Sequence, residues 1–217
     1  MGGDPTSLLA GAAQVGSPPI CRSRATPYRR AVAIPETVRA SIIRRVRSMD
    51  RGERAVVMWA SVIGFRFELA TLVEAAPWDE TRVRAALERA RLLALVEPGL
   101  PEGTYFCFRH ALVRDIIYTE FVSTRVRTLH RRIARALQRT APQGAAPIAE
   151  LAYHYWAGGD ARRALRYNEL AGDGAAALHA RVDARMFYTR ALGLVEPDSR
   201  SYARLEKKMG LVVEPAS

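Results

Sequence analysis

A mainly α fold is what this sequence predicts, and three observations predict it. Apolar residues recur every three or four positions along most of the 217 residues. Alternation of period two is confined to the short stretch Leu93–Phe108, "LALVEPGLPEGTYFCF". Towards the C-terminus small residues recur at a spacing of seven, Ala164 with Ala171 and Ala184 with Ala191.

Residues 1–33 are rich in Gly, Pro, Ala and Ser, and Pro18, Pro19 and Pro27 prevent a sustained helix, so this segment reads as a flexible arm or linker. Order is expected from Ile34-Pro35-Glu36, because proline suits a first helical turn. Val38, Ile42 and Val46 then repeat at helical spacing. "GERAVVMWASVIGFRF" reads as a second helix ended by Gly64, with Val56, Val57, Ala60 and Ile63 inward and Phe65 and Phe67 pinning the turn. "ELATLVEAA" gives a short third helix stopped by Pro77. Asp79 caps a fourth, "DETRVRAALERARLLALV", whose stripe is Val83, Leu87, Ala90 and Leu93 or Ala94. Pro98-Gly99 and Gly103 then punctuate two short apolar runs as a β-hairpin. Helices followed by one hairpin is the order of a winged helix-turn-helix.

"FRHALVRDIIYTEF" sets His110 between Arg109 and Arg114, with Asp115 close behind. The period changes there: Phe106 and Phe108 share a strand face, whereas Leu112, Val113, Ile116, Ile117 and Phe121 form a helical stripe. His110 is therefore expected at a strand-to-helix joint, its ring bonded to local backbone or packed on the stripe. Nearby Arg114 opposes protonation rather than assisting a base. "STRVRTLHRRIARALQRT" is cleanly amphipathic: Val126, Leu129, Ile133 and Leu137 form one wedge, flanked by His130. Arg127, Arg131, Arg135 and Arg139 step down the far side, with Arg125 and Arg132 beside them, the densest basic surface in the chain and a candidate polyanion contact.

Beyond the Pro142–Pro147 break, "IAELAYHYWAGGD", "ARRALRYNELAGDGAAALHA" and "RVDARMFYTRALGLVEPD" are helical, and "RSYARLEKKMG" begins a further helix. Alanines at a spacing of seven with Tyr188 between them suit tetratricopeptide-like (TPR-like) hairpins. The expected division is thus an arm over 1–33, a winged-helix-like domain with flanking helices over 34–140, and the start of a TPR-like array over 145–217.

Composition narrows the function. Apolar residues make up 49% and charged ones 25%, which suits an ordinary globular protein. A net charge of +11, with arginine far ahead of lysine, favours polyanionic partners, although arginines on solvated helix faces account for the same excess. Cys21 and Cys107 match no metal spacing and make no disulfide scaffold, so a reducing cytoplasm is expected. There is no apolar run of membrane-spanning length, no basic region heading a signal peptide, no phosphate-cradling G-x-x-x-x-G-K-[ST] loop and no G-x-S-x-G elbow. None of His110, His130, His154 and His179 forms a metal-type pair on one helix; His154, one turn after Glu150 and between Tyr153 and Tyr155, reads as part of a helix surface. No catalytic residue, metal or cofactor is expected.

Taken in order, "IPETVRASIIRRV", "VVMWASVIGFRFEL", "YFCFRHALVRDIIYTEF", "RTLHRRIARALQ" and "ELAYHYWAGGDARRALRYNELAGDGAAALHARVDARMFYTRALGLVE" resemble the middle of bacterial signal-transduction ATPases with numerous domains, the STAND class. These include LuxR-type large ATP-binding regulators and the ATPase halves of some adenylate/guanylate cyclases. The resemblance runs from about Ile34 to Glu196. It implies a winged helix acting as relay between a P-loop ATPase and sensing repeats, and it makes Phe108, His110, Leu112, Arg114, Tyr118, His130, Leu151, His154 and Tyr155 its signature positions. Gly3-Asp4-Pro5 loosely matches the Gly-Asn-Pro segment closing the family's ATPase domain. No ATPase core or output domain is recognisable, so the chain resembles a split-off or truncated regulatory module and ATP hydrolysis does not carry over.

Three functions follow as expectations: a non-catalytic relay and interaction module, whose partner is an ATPase domain in trans, a second copy or another regulator; a winged-helix DNA binder, mostly nonspecific, entering the groove with Glu80–Leu95; and an ATPase by family membership alone. The second is weakened because Asp79 and Glu80 open that helix and repel phosphate. The third is opposed by the missing P-loop.

Overall fold

Side-chain caps from Asp50, Asp79 and Asp160 set three of the helix starts. In the computed structural model, which describes residues 35–101, 103–122, 126–142 and 145–213, the chain forms α1 (Glu36–Arg47), α2 (Arg51–Ile63), β1 (Arg66–Glu68), α3 (Leu69–Ala75) and α4 (Glu80–Leu92). β2 (Val96–Pro98), β3 (Tyr105–Phe108), α5 (Ala111–Phe121) and α6 (Val126–Thr140) follow. The last elements are α7 (Ile148–Ala157), α8 (Ala161–Ala177), α9 (Arg181–Leu192) and α10 (Arg200–Val213). The fold is mainly helical, with one small sheet. The arm expected over 1–33, with Gly3, Asp4, Pro5 and Cys21, lies outside the described residues, as does Arg125.

Asp50 opens α2 with a reciprocal cap: its carboxylate accepts from the Glu53 amide at 2.7 Å, and the Glu53 carboxylate accepts from the Asp50 amide at 2.9 Å. Asp79 caps α4 as the sequence predicts, accepting from the Arg82 amide at 2.8 Å. α4 ends earlier than its apolar pattern suggests. Ala94 turns left-handed at φ 52, and Leu95 N–H reaches back to the Ala90 carbonyl at 2.9 Å. Leu93 and Ala94 therefore leave the stripe; Leu95 is buried in their place.

The predicted hairpin is two strands of a three-stranded antiparallel sheet ordered β1-β3-β2. β1 carries one inward residue, Phe67, opposite Phe106, with ring centroids 6.0 Å apart. Phe67 also packs 5.9 Å from Phe108, itself wholly buried opposite Val96. Three residues between helices show no alternation, which is why this strand reads as a turn from sequence. The other predicted turn-pinning residue, Phe65, is exposed.

One apolar core runs through both sides of the 142–147 break. It joins Ile42, Val57, Leu72, Leu87 and Ile117 to Ile133, Leu151, Tyr155 and Ala164. Each large aliphatic side chain buried this way contributes about 1.5–3 kcal/mol. α7 and α8 pack as an antiparallel pair turned by Gly158 and Gly159, and α8 pairs in turn with α9. Gly172 of α8 sits where a Cβ would lie 2.5 Å from the Tyr188 ring of α9, so only glycine permits that approach. A second, smaller cluster of Ala184, Tyr188, Ala191, Leu205 and Val212 holds α10 to α9. Among the described residues no helix is long and apolar enough to cross a membrane.

Candidate functional site

Four of the signature positions meet at one buried joint among the ends of α2, α5, α6 and α7. The C-terminal turn of α2 presents carbonyls that lack intrahelical partners and carry the negative end of the helix dipole. Two side chains from distant elements satisfy them. Arg114 of α5 donates from Nε to the Ser61 carbonyl at 2.8 Å, and His154 of α7 lies with Nε2 3.3 Å from the Ile63 carbonyl. His154 Nδ1 lies 2.9 Å from Nδ1 of His130 on α6, and His130 Nε2 lies 3.2 Å from the Tyr118 hydroxyl on α5.

The acceptor-only carbonyl assigns every proton in this chain of groups. Since the Ile63 carbonyl can only accept, His154 carries its proton on Nε2 and offers the Nδ1 lone pair. His130 must then donate from Nδ1, leaving its Nε2 to accept the Tyr118 O–H. The result is a one-directional series, Tyr118 to His130 to His154 to Ile63, in which both rings are neutral. Burial pushes His130 down to about 4, with the Arg114 charge adding to it. Burial also pushes His154 down to about 3, reinforced by His130 and opposed by its bond to Ile63. Burial raises the Tyr118 hydroxyl above its usual range, so it too stays neutral.

Aromatic rings close the joint. Tyr153 meets His130 edge-on at 5.4 Å and His154 at 5.2 Å, and the Arg114 guanidinium covers the Tyr118 ring at 4.8 Å. Outside them the Arg190 guanidinium lies 4.9 Å over Trp156 and 6.0 Å over Tyr153, bringing α9 into the same assembly. A neighbouring polar bridge ties α6 to α7 and α8: Tyr155 donates to Gln138 Oε1, and Gln138 donates to the Tyr167 hydroxyl at 2.6 Å.

The other signature positions fall as follows. Phe108 and Leu151 are wholly buried in the core, Tyr155 nearly so, and Leu112 is half-buried on α5. Two expectations from the sequence need correction. His110 does stand at the strand-to-helix junction, as the residue preceding α5, but its ring is exposed and makes no capping bond. Extended backbone at this position (φ −145, ψ 148) turns the side chain away from the stripe that begins one residue later. His154 is not part of a helix surface with Glu150: it is 1% exposed and bonded to His130 and Ile63. His110→Ala is accordingly expected to shift unfolding free energy by less than about 0.5 kcal/mol in urea titrations, since it removes no buried contact.

Sequence reasoning missed Ile63, Tyr153, Gln138 and Arg190. The first acts through its backbone carbonyl, which no residue pattern announces. A signal for the burial of each histidine was present, though not for their pairing: His130, Ile133 and Leu137 share one stripe at helical spacing, as do Leu151, His154 and Tyr155.

The basic positions of α6 divide. Arg127, Arg131 and Arg135 are exposed, and no carboxylate among the described residues pairs with them. Arg139 is bound to Glu74 at 2.6 Å, and Arg132 covers the Trp59 ring at 4.9 Å. No cluster of three or more metal-ligating side chains occurs among the described residues. No family model, curated protein or solved structure matches this chain.

Proposed function

We propose that this chain is a non-catalytic relay and protein-interaction module of the cytoplasm, akin to the central region of STAND-type ATPase regulators. The observation that carries the reading is the joint itself. Arg114, Tyr118, His130 and His154 fasten the end of α2 to the α6–α7 layer with neutral, mutually satisfied rings and one guanidinium spent on a carbonyl. Such a series offers no charged base, no activated nucleophile and no open position for substrate. It transmits position from one layer to another instead.

The run α2, β1, α3, α4, β2, β3 with sheet order β1-β3-β2 supports a winged-helix-like module over 34–140. The antiparallel α7–α8 and α9–α10 pairs, packed through Ala164, Ala171, Ala184 and Ala191, support TPR-like hairpins over 145–217. α4 is poorly suited to read a duplex. Arg84 is held by Glu80 at 2.7 Å and Arg91 by Glu88 at 2.6 Å, which cancels charge on the face a groove would need.

The test is to mix the purified full chain with a P-loop ATPase domain of the STAND class, following complex formation by sedimentation and ATP turnover by phosphate release. A complex whose turnover differs from that of the ATPase alone, with none from the chain alone, supports the relay. ATP hydrolysis by the chain alone would overturn it, as would tight binding of one specific duplex that persists at high salt.

A further inference from the structure

The exposed face of α6 offers charge without any of the features by which proteins grip proteins. Arg127, Arg131 and Arg135 follow each other at four-residue steps, each a rise of about 6 Å, so three guanidinium stems line about 12 Å of one helix edge. Two of them extend the surface across the next turn: Arg131 Cγ lies 2.7 Å from the place of a Cβ on Gly158, and Arg127 Cδ lies 3.9 Å from that on Gly159. The acid at that turn, Asp160, forms its ion pair with Arg163 at 2.7 Å and feels the Arg131 charge only at longer range.

Protein interfaces place apolar or aromatic anchors at their centre and exclude charge from it. Here Tyr155 is 1% exposed and Trp59, beneath Arg132, is 8% exposed, while the exposed Trp156 is covered by the Arg190 guanidinium. Nucleic acid needs no such anchor. Its backbone is bound by guanidinium forks on phosphate and by release of condensed counterions. α4 differs, because Glu80 and Glu88 hold two of its four arginines, Arg84 and Arg91, whereas α6 carries no acidic residue at all.

We propose that the Arg127–Arg131–Arg135 face of α6 binds the phosphate backbone of double-stranded nucleic acid without reading its sequence. These three side chains are exposed while His130 and Ile133 of the same helix are buried, so the surface stands independently of the relay reading.

The experiment is fluorescence anisotropy of the full chain on a labelled duplex of scrambled sequence, between about 50 and 200 mM salt. The wild-type chain is expected to bind at the low end, log K falling linearly with log salt. R127Q/R131Q/R135Q should weaken binding at least about tenfold and flatten that slope by about 2.7, or about 0.9 for each phosphate no longer neutralised. The triple lysine variant should keep most of the slope, and R82Q/R84Q/R89Q on α4 should behave as wild type. Because the three sites are exposed, circular dichroism and the thermal midpoint should not change. An unchanged slope in the glutamine variant, loss of binding in the α4 variant alone, or no binding at low salt each overturns the proposal. So does tighter binding of a labelled polyglutamate peptide than of duplex at equal salt, which would assign the face to an acidic protein.

Discussion

Replacing His154 by leucine is expected to lower the unfolding free energy by about 2–4 kcal/mol, read as a drop in urea midpoint without a change in slope. Leucine is close enough in size that little cavity results, so the loss reports polar groups left alone. The Ile63 carbonyl loses its side-chain donor, and His130 Nδ1, buried 2.9 Å from the former acceptor, loses its partner. Flipping the His130 tautomer does not help, because one ring nitrogen stays unpaired whichever carries the proton. The double variant H130L/H154L should cost less than the sum of the two single changes, since removing both members of a bonded pair leaves fewer orphaned groups than removing one. A coupling above about 1 kcal/mol is the expected signature of the series. Single variants within about 0.5 kcal/mol of wild type would show that the joint holds nothing together.

How far the joint was legible in the sequence depends on which link is considered. The α6 wheel put Ile133 and Leu137 inside and the arginines outside, because a long amphipathic helix prints its burial directly on its spacing. Asp79 was readable as a cap for the same reason: its role depends on residues three positions away. The histidine contact was not readable. His130 and His154 are separated by 24 positions and an intervening break, and their pairing exists only because α6 packs on α7. His110 drew attention through its arginine neighbours, yet adjacency in sequence says little about direction where backbone is extended. β1 was invisible because three residues cannot display a period of two; its strand character comes wholly from pairing with β3.

The same burial predicts how the fold responds to acid. A histidine with an ordinary value near 6.5 takes a proton readily when unfolded, whereas folded His130 and His154 resist protonation down to about 4 and about 3. Above about pH 6.5 neither state binds these protons and stability does not depend on them. Below it the unfolded chain binds more protons than the folded one, so stability falls as pH falls, by about 1.4 kcal/mol per pH unit for each ring. The loss ends only when the folded rings titrate. Between pH 7 and 4.5 it should reach on the order of 3–5 kcal/mol, a large share of the 5–15 kcal/mol of a typical domain. The charges facing the pair reinforce this sign: Arg114 on α5 disfavours a second positive charge, and protonating one ring disfavours the other. Urea titrations at half-unit steps should show the decline set in near pH 6.5 and become steepest at about pH 5.5–4.5, just above the range where most carboxylates titrate. H130L/H154L should flatten that limb while keeping the decline below pH 4.5. If the double variant keeps the full slope, the acid sensitivity lies elsewhere and the neutral-ring assignment of the joint is wrong.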